Sequence, residues 1–360
     1  MGHVAHMSLK PGSGIPDVMR TVEFNRYGSA KDVLELVTSA PVPTPLPHEV
    51  LINVRAASVN PVDCAIRSGY GKDVFRTKGQ VGPNPFPMRL GRDAAGVVVA
   101  VGAEVSRFRP GDRVFTAPTR AAIAEYICVD AAETAPMPAS LDYIQAAAVP
   151  FVAMTTWSAL VDQAGVTKQT ASQKRILIAR GAGGVGSFAI QLMKAWGAHV
   201  ASTCSTRNVD FVKALGADSV VDYTKTKISE VLKDYDVVFD SAFDMEDELL
   251  ATLKVGAGAS YVTIVSPKVK LADEFGLDEG MRKAEALRQT RVAQQQALGR
   301  HYYWSFMQPN GAALAEIGQL IDQGSIKPVV DRVYPLAQIA DAHEFCESRA
   351  ARGKIVLDLR

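Results

Sequence analysis

Between Val18 and Val129 the apolar positions fall in short β-branched runs separated by Pro and Gly: VLINVRAASV, GVVVAVG, DRVFTA and AEYICV. Runs of this length and type predict strands, and their crowding predicts a mainly β unit. From Leu141 to Leu160 the text turns Ala-rich with helical spacing, interrupted by Pro150, which predicts a hinge. The period then changes. ILIA from Ile176, HVAST from His199, SVVDY from Ser219, YDVVFD from Tyr235 and SYVTIV from Ser260 read as buried strands alternating with helical stretches. That alternation predicts an α/β fold, a doubly wound parallel sheet with helices on its faces. After Trp304 a helical stretch, AALAEIGQLIDQG, leads to PVVDRVYPL and GKIVLDL, strands that resemble the first segment more than the second. The expected division is therefore 18–150 with 308–360 as a mainly β domain and 151–307 as the α/β domain. Residues 1–17 carry no periodicity and read as a disordered leader or an added remnant.

Length agrees with two units, since 360 residues exceed the roughly 250–300 at which one core stops growing. A composition of 48% hydrophobic and 21% charged residues is that of a globular protein and excludes a disordered or collagen-like chain. The 39 basic and 38 acidic side chains leave +1, so no net field draws the molecule to nucleic acid or an anionic membrane. Cys64, Cys128, Cys204 and Cys346 are far apart with no CxxC pair, which argues against a zinc knuckle and a disulfide framework and suits a reducing compartment. No run approaches the roughly 18 apolar residues of a membrane span.

The chemistry concentrates at Gly181-Ala182-Gly183-Gly184-Val185-Gly186, which follows the strand RILIA and opens the helical text SFAIQLMKAW, ended by Gly197 as a C-cap. Glycines in this context let the backbone approach a pyrophosphate at the positive end of a helix. The end of the second strand decides the nucleotide. An NAD enzyme places an acid there, whereas this chain runs Thr203, Cys204, Ser205, Thr206, Arg207, offering hydroxyls and a guanidinium to a 2′-phosphate. NADPH is the expected cofactor; the duller reading leaves Arg207 as a solvated helix-start residue. Arg180 faces either phosphate or solvent.

The chain resembles the medium-chain dehydrogenase/reductase superfamily in its zinc-free quinone reductase branch. The resemblance is carried by ASVNPVDCAIRSGY (57–70), FPMRLGRDAAGVV (86–98), RFRPGDRVF (107–115), AAAVPFVAMTTWSAL (146–160), the glycine loop, LGADSVVDY (215–223) and ARGKIVL near the end. SVNPVD, RSGYG, LGRDAAGVV, YVTIVSP and HYYWSF are similar, more narrowly, to the reticulon-4-interacting group of mitochondrial NADPH oxidoreductases linked to ubiquinone. The resemblance implies a GroES-like catalytic domain beside a Rossmann domain. It also implies a mitochondrial or otherwise cytoplasmic location, a possible reticulon-type partner and a possible homodimer. Zinc-dependent relatives carry a Cys and a His with an adjacent Glu where this chain has Asn60, Arg92 and Asp93, and the four-cysteine structural lobe is absent, so no metal is expected.

What remains is hydride transfer to an electrophilic acceptor, a quinone or, alternatively, an enone. A further alternative is an NADPH-binding interaction protein with little turnover. The tyrosine that some quinone reductases carry after the NPVD-like motif is Ala65 here. Asn60 is the candidate to hold an acceptor oxygen and Tyr70 to donate a proton, each with a plainer reading as a loop cap or surface residue. By resemblance Ser205 and Tyr223 line the adenosine phosphate end, Ser241, Ile264 and Val265 end later strands at the ligand edge, and Arg352 and Gly353 reach back toward the phosphates. Ser241 stands where the family has asparagine. His301, Tyr302, Tyr303 and Trp304 either border the acceptor mouth or form a contact between domains or subunits.

Overall fold

A computed structural model describes residues 14–77, 85–119, 122–256 and 258–360. Of the expected leader, residues 1–13 lie outside them. Six parallel strands form one sheet in the spatial order Ser219–Asp222, His199–Cys204, Arg175–Ile178, Val237–Asp240, Ala259–Thr263, Arg300–Trp304. These strands read as continuous apolar runs because both faces are covered. Ile176 and Ile178 face a core shared with Phe188, Ile190 and Met193 of the helix Gly184–Ala195, while Leu177 and Ala179 face a second core with Leu249, Leu253 and Tyr261. The chain order reverses between Arg175–Ile178 and Val237–Asp240, which opens a crevice at their carboxyl ends.

A second, seven-stranded sheet has Glu49–Val59 near its centre, paired with Ala94–Val101, Tyr126–Asp130 and Lys354–Asp358. A three-stranded sheet is built on Val18–Phe24. The return of 330–358 to the first sheet-rich unit, suggested by its Pro-flanked strands, is seen in the antiparallel pairing of Ile355 with Val59 and Leu357 with Ala57. Together these sheets make the α/β Rossmann unit and the mainly β GroES-like unit that the sequence implied.

The segment joining them is helical with the break before Pro150 that its identity suggested. Helices Tyr143–Ala147 and Pro150–Thr156 and a π-helical turn, Trp157–Gln163, follow one another. Pro150 sits in the first turn of its helix, where a missing N–H costs little, and Ala148 and Val149 separate it from the preceding helix. Tyr143–Gln163 is long and apolar enough, by length and composition, to cross a membrane, and 72% of it is buried inside the protein, as in a core helix.

His343, on the helix Ile339–Glu347, is fully buried, and among the described residues neither ring nitrogen has a partner. Burial, then the Arg67 guanidinium, pushes its pKa down to about 3. The unfolded imidazole takes a proton near pH 6.5, so the unfolded state binds more protons between these values. Its contribution to stability is therefore complete above about pH 6.5 and declines by about 1.4 kcal/mol per pH unit as pH falls toward 3. Urea unfolding of the wild type and a His343→Leu variant at pH 7 and pH 5 checks this; the variant should lose less stability on acidification.

Candidate cofactor and acceptor site

The loop after Arg175–Ile178 is held from several sides. Arg180 takes a left-handed φ of 54°, its N–H donates to Thr203 Oγ1 at 3.1 Å, and Gly181 N–H donates to Thr203 O at 2.9 Å. Gly353 N–H donates to Ala182 O at 3.0 Å, tying the loop to the C-terminal segment. Two of the four glycines, Gly181 and Gly186, are required by packing, and a third, Gly184, is tight. A Cβ on Gly181 would overlap Ser202 Oγ, one on Gly186 would overlap Arg180 O, and one on Gly184 would meet Lys354 Cδ at 3.0 Å. Gly183 differs: its φ is −76°, and the only neighbour a Cβ would find is Arg180 O at 3.6 Å. Neither strain nor crowding within the chain demands glycine there. The helix Gly184–Ala195 begins at this point without a side-chain cap, so its first N–H groups face the opening. A free helix N-terminus behind an unneeded glycine fits a pyrophosphate. Val185 lies half-buried in the first turn.

At the end of the second strand Ser205 precedes the turn Thr206–Asn208 and accepts from Asn208 Nδ2 at 3.3 Å. Arg207 donates to Ala350 O at 3.3 Å, while Arg352 donates through Nε to Asn208 Oδ1 and through Nη2 to Arg207 O, both at 2.8 Å. Two exposed guanidinium groups 145 residues apart thus share one patch, and among the described residues neither has a carboxylate partner. Sequence reasoning missed Asp222, which ends the neighbouring strand and accepts from Thr206 Oγ1 at 2.5 Å and Thr224 Oγ1 at 2.6 Å. The Thr206 hydroxyl, then Thr224, holds its carboxyl below the ordinary range. Tyr223 follows it, half-buried, its N–H on Cys204 O at 3.2 Å.

Along the crevice Ser241 Oγ donates to Ala179 O at 3.0 Å, so its hydroxyl ties the ends of the strands Arg175–Ile178 and Val237–Asp240 together. Ile264 N–H donates to Asp240 O, and Val265 N–H to Thr263 Oγ1, both at 3.1 Å, leaving the two side chains half-exposed at the edge. Phe243, unremarked in the sequence, is 72% exposed on the loop after Val237–Asp240, with the Arg349 guanidinium 5.8 Å from its ring. Arg180 Nη2 lies 3.2 Å from Asp244 on the same loop, so it is turned toward a carboxylate.

Across the cleft, Asn60 caps the helix Pro61–Arg67 and is 2% exposed. Its Nδ2 donates to Asp93 Oδ2 at 3.0 Å and its Oδ1 accepts from Lys354 Nζ. The carboxamide is thus engaged at both ends by the protein, which is not the open donor that the sequence suggested. Asp63 is also buried, accepting from Asn60 N at 2.9 Å and Gly91 N at 3.0 Å; burial raises its pKa against the opposing pull of Arg92. Tyr70 is half-buried, and burial followed by the Asp273 carboxylate raises its phenol above the ordinary value. Asp273, on the helix Lys268–Phe275, accepts from Gly71 N at 2.7 Å, and among the described residues its buried Oδ1 has no partner.

The aromatic quartet is divided. Tyr302 is 4% exposed, stacks on Tyr261 with centroids 5.3 Å apart and donates to Glu246, so it belongs mainly to the core. Tyr302 also reaches a cavity of about 320 Å³ that Tyr303, Trp304 and Phe306 border with Lys268 and Arg288, and His301 is exposed beside Tyr303. Among the described residues no group of three His, Cys, Asp or Glu side chains has a metal-holding arrangement. The amide of Asn60 and guanidinium of Arg92 do not make a zinc ligand set.

A nucleotide-binding crevice facing a buried polar floor defines a two-domain, nucleotide-dependent oxidoreductase. Residues 46–139 match the alcohol dehydrogenase GroES-like domain and 215–357 the zinc-binding dehydrogenase model, although the donor set for that metal is lacking. The chain is 38% identical over 356 residues to the mitochondrial NAD(P)H oxidoreductase RTN4IP1 of Danio rerio, covering 95% of this chain and 92% of that protein. It is 33% identical to the chloroplastic NADPH-dependent alkenal/one oxidoreductase of Arabidopsis thaliana, covering 98% and 83%. The structure of a quinone oxidoreductase from Coxiella burnetii superposes with a TM-score of 0.77 at 29% identity, covering 95% of this chain and 99% of that one. The chain belongs to the medium-chain dehydrogenase/reductase superfamily, among the NAD(P)H oxidoreductases of the RTN4IP1 type.

Proposed function

We propose that this protein is a zinc-independent NADPH oxidoreductase that reduces a quinone related to ubiquinone in mitochondria. The observation that carries the reading is Gly183, a glycine that neither a positive φ nor a described neighbour requires, in line with the paired Arg207 and Arg352. Bound NADPH supplies the hydride. In this reading the amides behind Gly183 to Gly186 hold the pyrophosphate, and Ser205, Arg207 and Arg352 hold the 2′-phosphate. Tyr223 and Phe243 offer ring faces toward the adenosine end, while Ile264 and Val265 exclude water beside the reacting ring. Tyr70, kept protonated by burial and by Asp273, is the proposed proton donor to the reduced acceptor. The aromatic cavity at Tyr303, Trp304 and Phe306 accepts a flat ring. Domain boundaries near 150 and 307, and association with a reticulon-type protein, belong to the same proposal.

A second reading, reduction of an enone, draws on the Arabidopsis relative's name and on the absence of any step that needs more than hydride and proton. The deciding experiment is NADPH oxidation in chelator-treated buffer with a short-chain ubiquinone and with a small alkenal. Turnover at least ~10-fold higher in kcat/KM on the quinone, about 1.4 kcal/mol, is expected. A reversed preference supports the enone reading, and turnover restored only by zinc defeats the metal-independent mechanism.

A further inference from the structure

Lys354 opens the strand Lys354–Asp358 and is 5% exposed. Burying an ammonium is costly unless partners compensate it, and here both partners belong, like Lys354 itself, to the mainly β unit. Its Nζ donates to Asp93 Oδ2 at 3.1 Å and to Asn60 Oδ1. Asp93, fully buried, also accepts from Ser58 Oγ, from Asn60 Nδ2 at 3.0 Å and from Phe151 N–H at 2.6 Å. One carboxylate therefore gathers the strand Glu49–Val59, the cap of Pro61–Arg67, the start of the linker helix and the C-terminal strand.

The stem of the same lysine lies against the nucleotide loop. Its Cδ is the nearest atom to a Cβ built on Gly184, at 3.0 Å, and the preceding residue, Gly353, bonds to Ala182 O. An ammonium has three donors, and among the described residues two have acceptors. A buried ion pair is weak evidence for a stabilising role, because apolar residues of like volume usually serve as well. A lysine that reaches from the glycine loop to the catalytic floor has a geometric use instead.

We propose that Lys354 is a positioning residue for hydride transfer: it pins the Asn60 carboxamide and Asp93 against the glycine loop, setting the separation of cofactor and acceptor. This rests on the nucleotide-binding reading above. With Lys354 in place, the Asn60 oxygen is committed to the ammonium and its amide to Asp93, so the floor presents one arrangement to an incoming acceptor. Without it, the amide is free to turn and the two units lose a shared anchor. Misplacement of this kind acts on the chemical step more than on nucleotide affinity.

The test uses the full chain with Lys354→Met, Lys354→Arg and the double variant Asp93→Asn/Lys354→Met. NADPH binding is read by fluorescence titration, and turnover with a short-chain ubiquinone is read with ordinary NADPH and with NADPH dideuterated at nicotinamide C4. Lys354→Met should lower kcat ~10- to 100-fold, leave the NADPH Kd within about 3-fold and raise the isotope effect as hydride transfer becomes limiting. Lys354→Arg should recover part of kcat. The double variant, which leaves no unpaired buried carboxylate, should regain the wild-type Tm without regaining kcat. Recovery of kcat together with Tm would make Lys354 purely structural and overturn the proposal, even if Lys354→Met alone does not fold. Wild-type turnover with a Lys354→Met variant within 2-fold of it sinks this proposal alone. A wild type that neither binds nor oxidises NADPH sinks the nucleotide reading as well.

Discussion

A Gly183→Val chain is expected to fold with the wild-type Tm and to bind NADPH at least ~100-fold more weakly, about 2.7 kcal/mol. The backbone at Gly183, with φ −76° and ψ 171°, is extended and open to any residue, and a Cβ there meets only Arg180 O at 3.6 Å. The branched side chain therefore projects into the space before the uncapped helix rather than into the protein. That position obstructs the approach of an anion to the amides, each charge-assisted bond being worth roughly 1.5–3 kcal/mol. Gly181→Val is the contrasting control: overlap with Ser202 and Ile190 should reduce stability itself. Thermal melts with and without NADPH separate the two, since a ligand that binds only the folded state raises Tm. If Gly183→Val retains the NADPH-induced rise in Tm, the loop is a structural turn and the proposed function loses its support.

Removing Arg207 should change cofactor choice. Arg207→Ala is expected to weaken NADPH ~10- to 100-fold while altering NADH by less than about 2-fold, because only the former carries a 2′-phosphate. Arg352→Ala should act in the same direction and also release Asn208 Oδ1 and Arg207 O, so its effect includes loosening the turn Thr206–Asn208. The double variant should show less than the product of the single losses, since the two groups share one anion and one turn. Both guanidiniums are exposed, so the NADPH preference should shrink as ionic strength rises. Isothermal titration with each nucleotide at low and high salt measures all of these. Equal losses for the two nucleotides would remove the phosphate assignment.

What the sequence showed and what it hid divide along separation in the chain. The glycine loop was legible because its strand, turn and helix are contiguous, and Gly197, with φ 84°, ends the helix where its identity said it would. The five apolar runs of the parallel sheet were legible because burial on both faces removes polar residues from them. Lys354 was not, since its partners Asn60 and Asp93 lie 294 and 261 residues away and nothing beside it signals a buried cation. Asp222 was hidden for a related reason: it reaches Thr206 only because two parallel strands lie in register, Cys204 opposite Asp222. The aromatic quartet was legible only in part, because consecutive residues of one strand alternate between its two faces. Alternation sends Tyr302 to the side opposite His301 and Tyr303, and Tyr302 accordingly stacks within the core.

The pairing of Ile355 with Val59 and Leu357 with Ala57 also dictates an order of birth. During synthesis the long strand Glu49–Val59 emerges about 300 residues before the last of its three neighbours, a wait of roughly 15–60 s at ribosomal speed. The parallel sheet has all six strands by Trp304, so it is free to form first, while residues 56–59 of the earlier-made sheet keep an open edge until Lys354–Asp358 arrives. Chaperone dependence and sensitivity to premature stop codons should therefore concentrate in the oldest part of the nascent polypeptide.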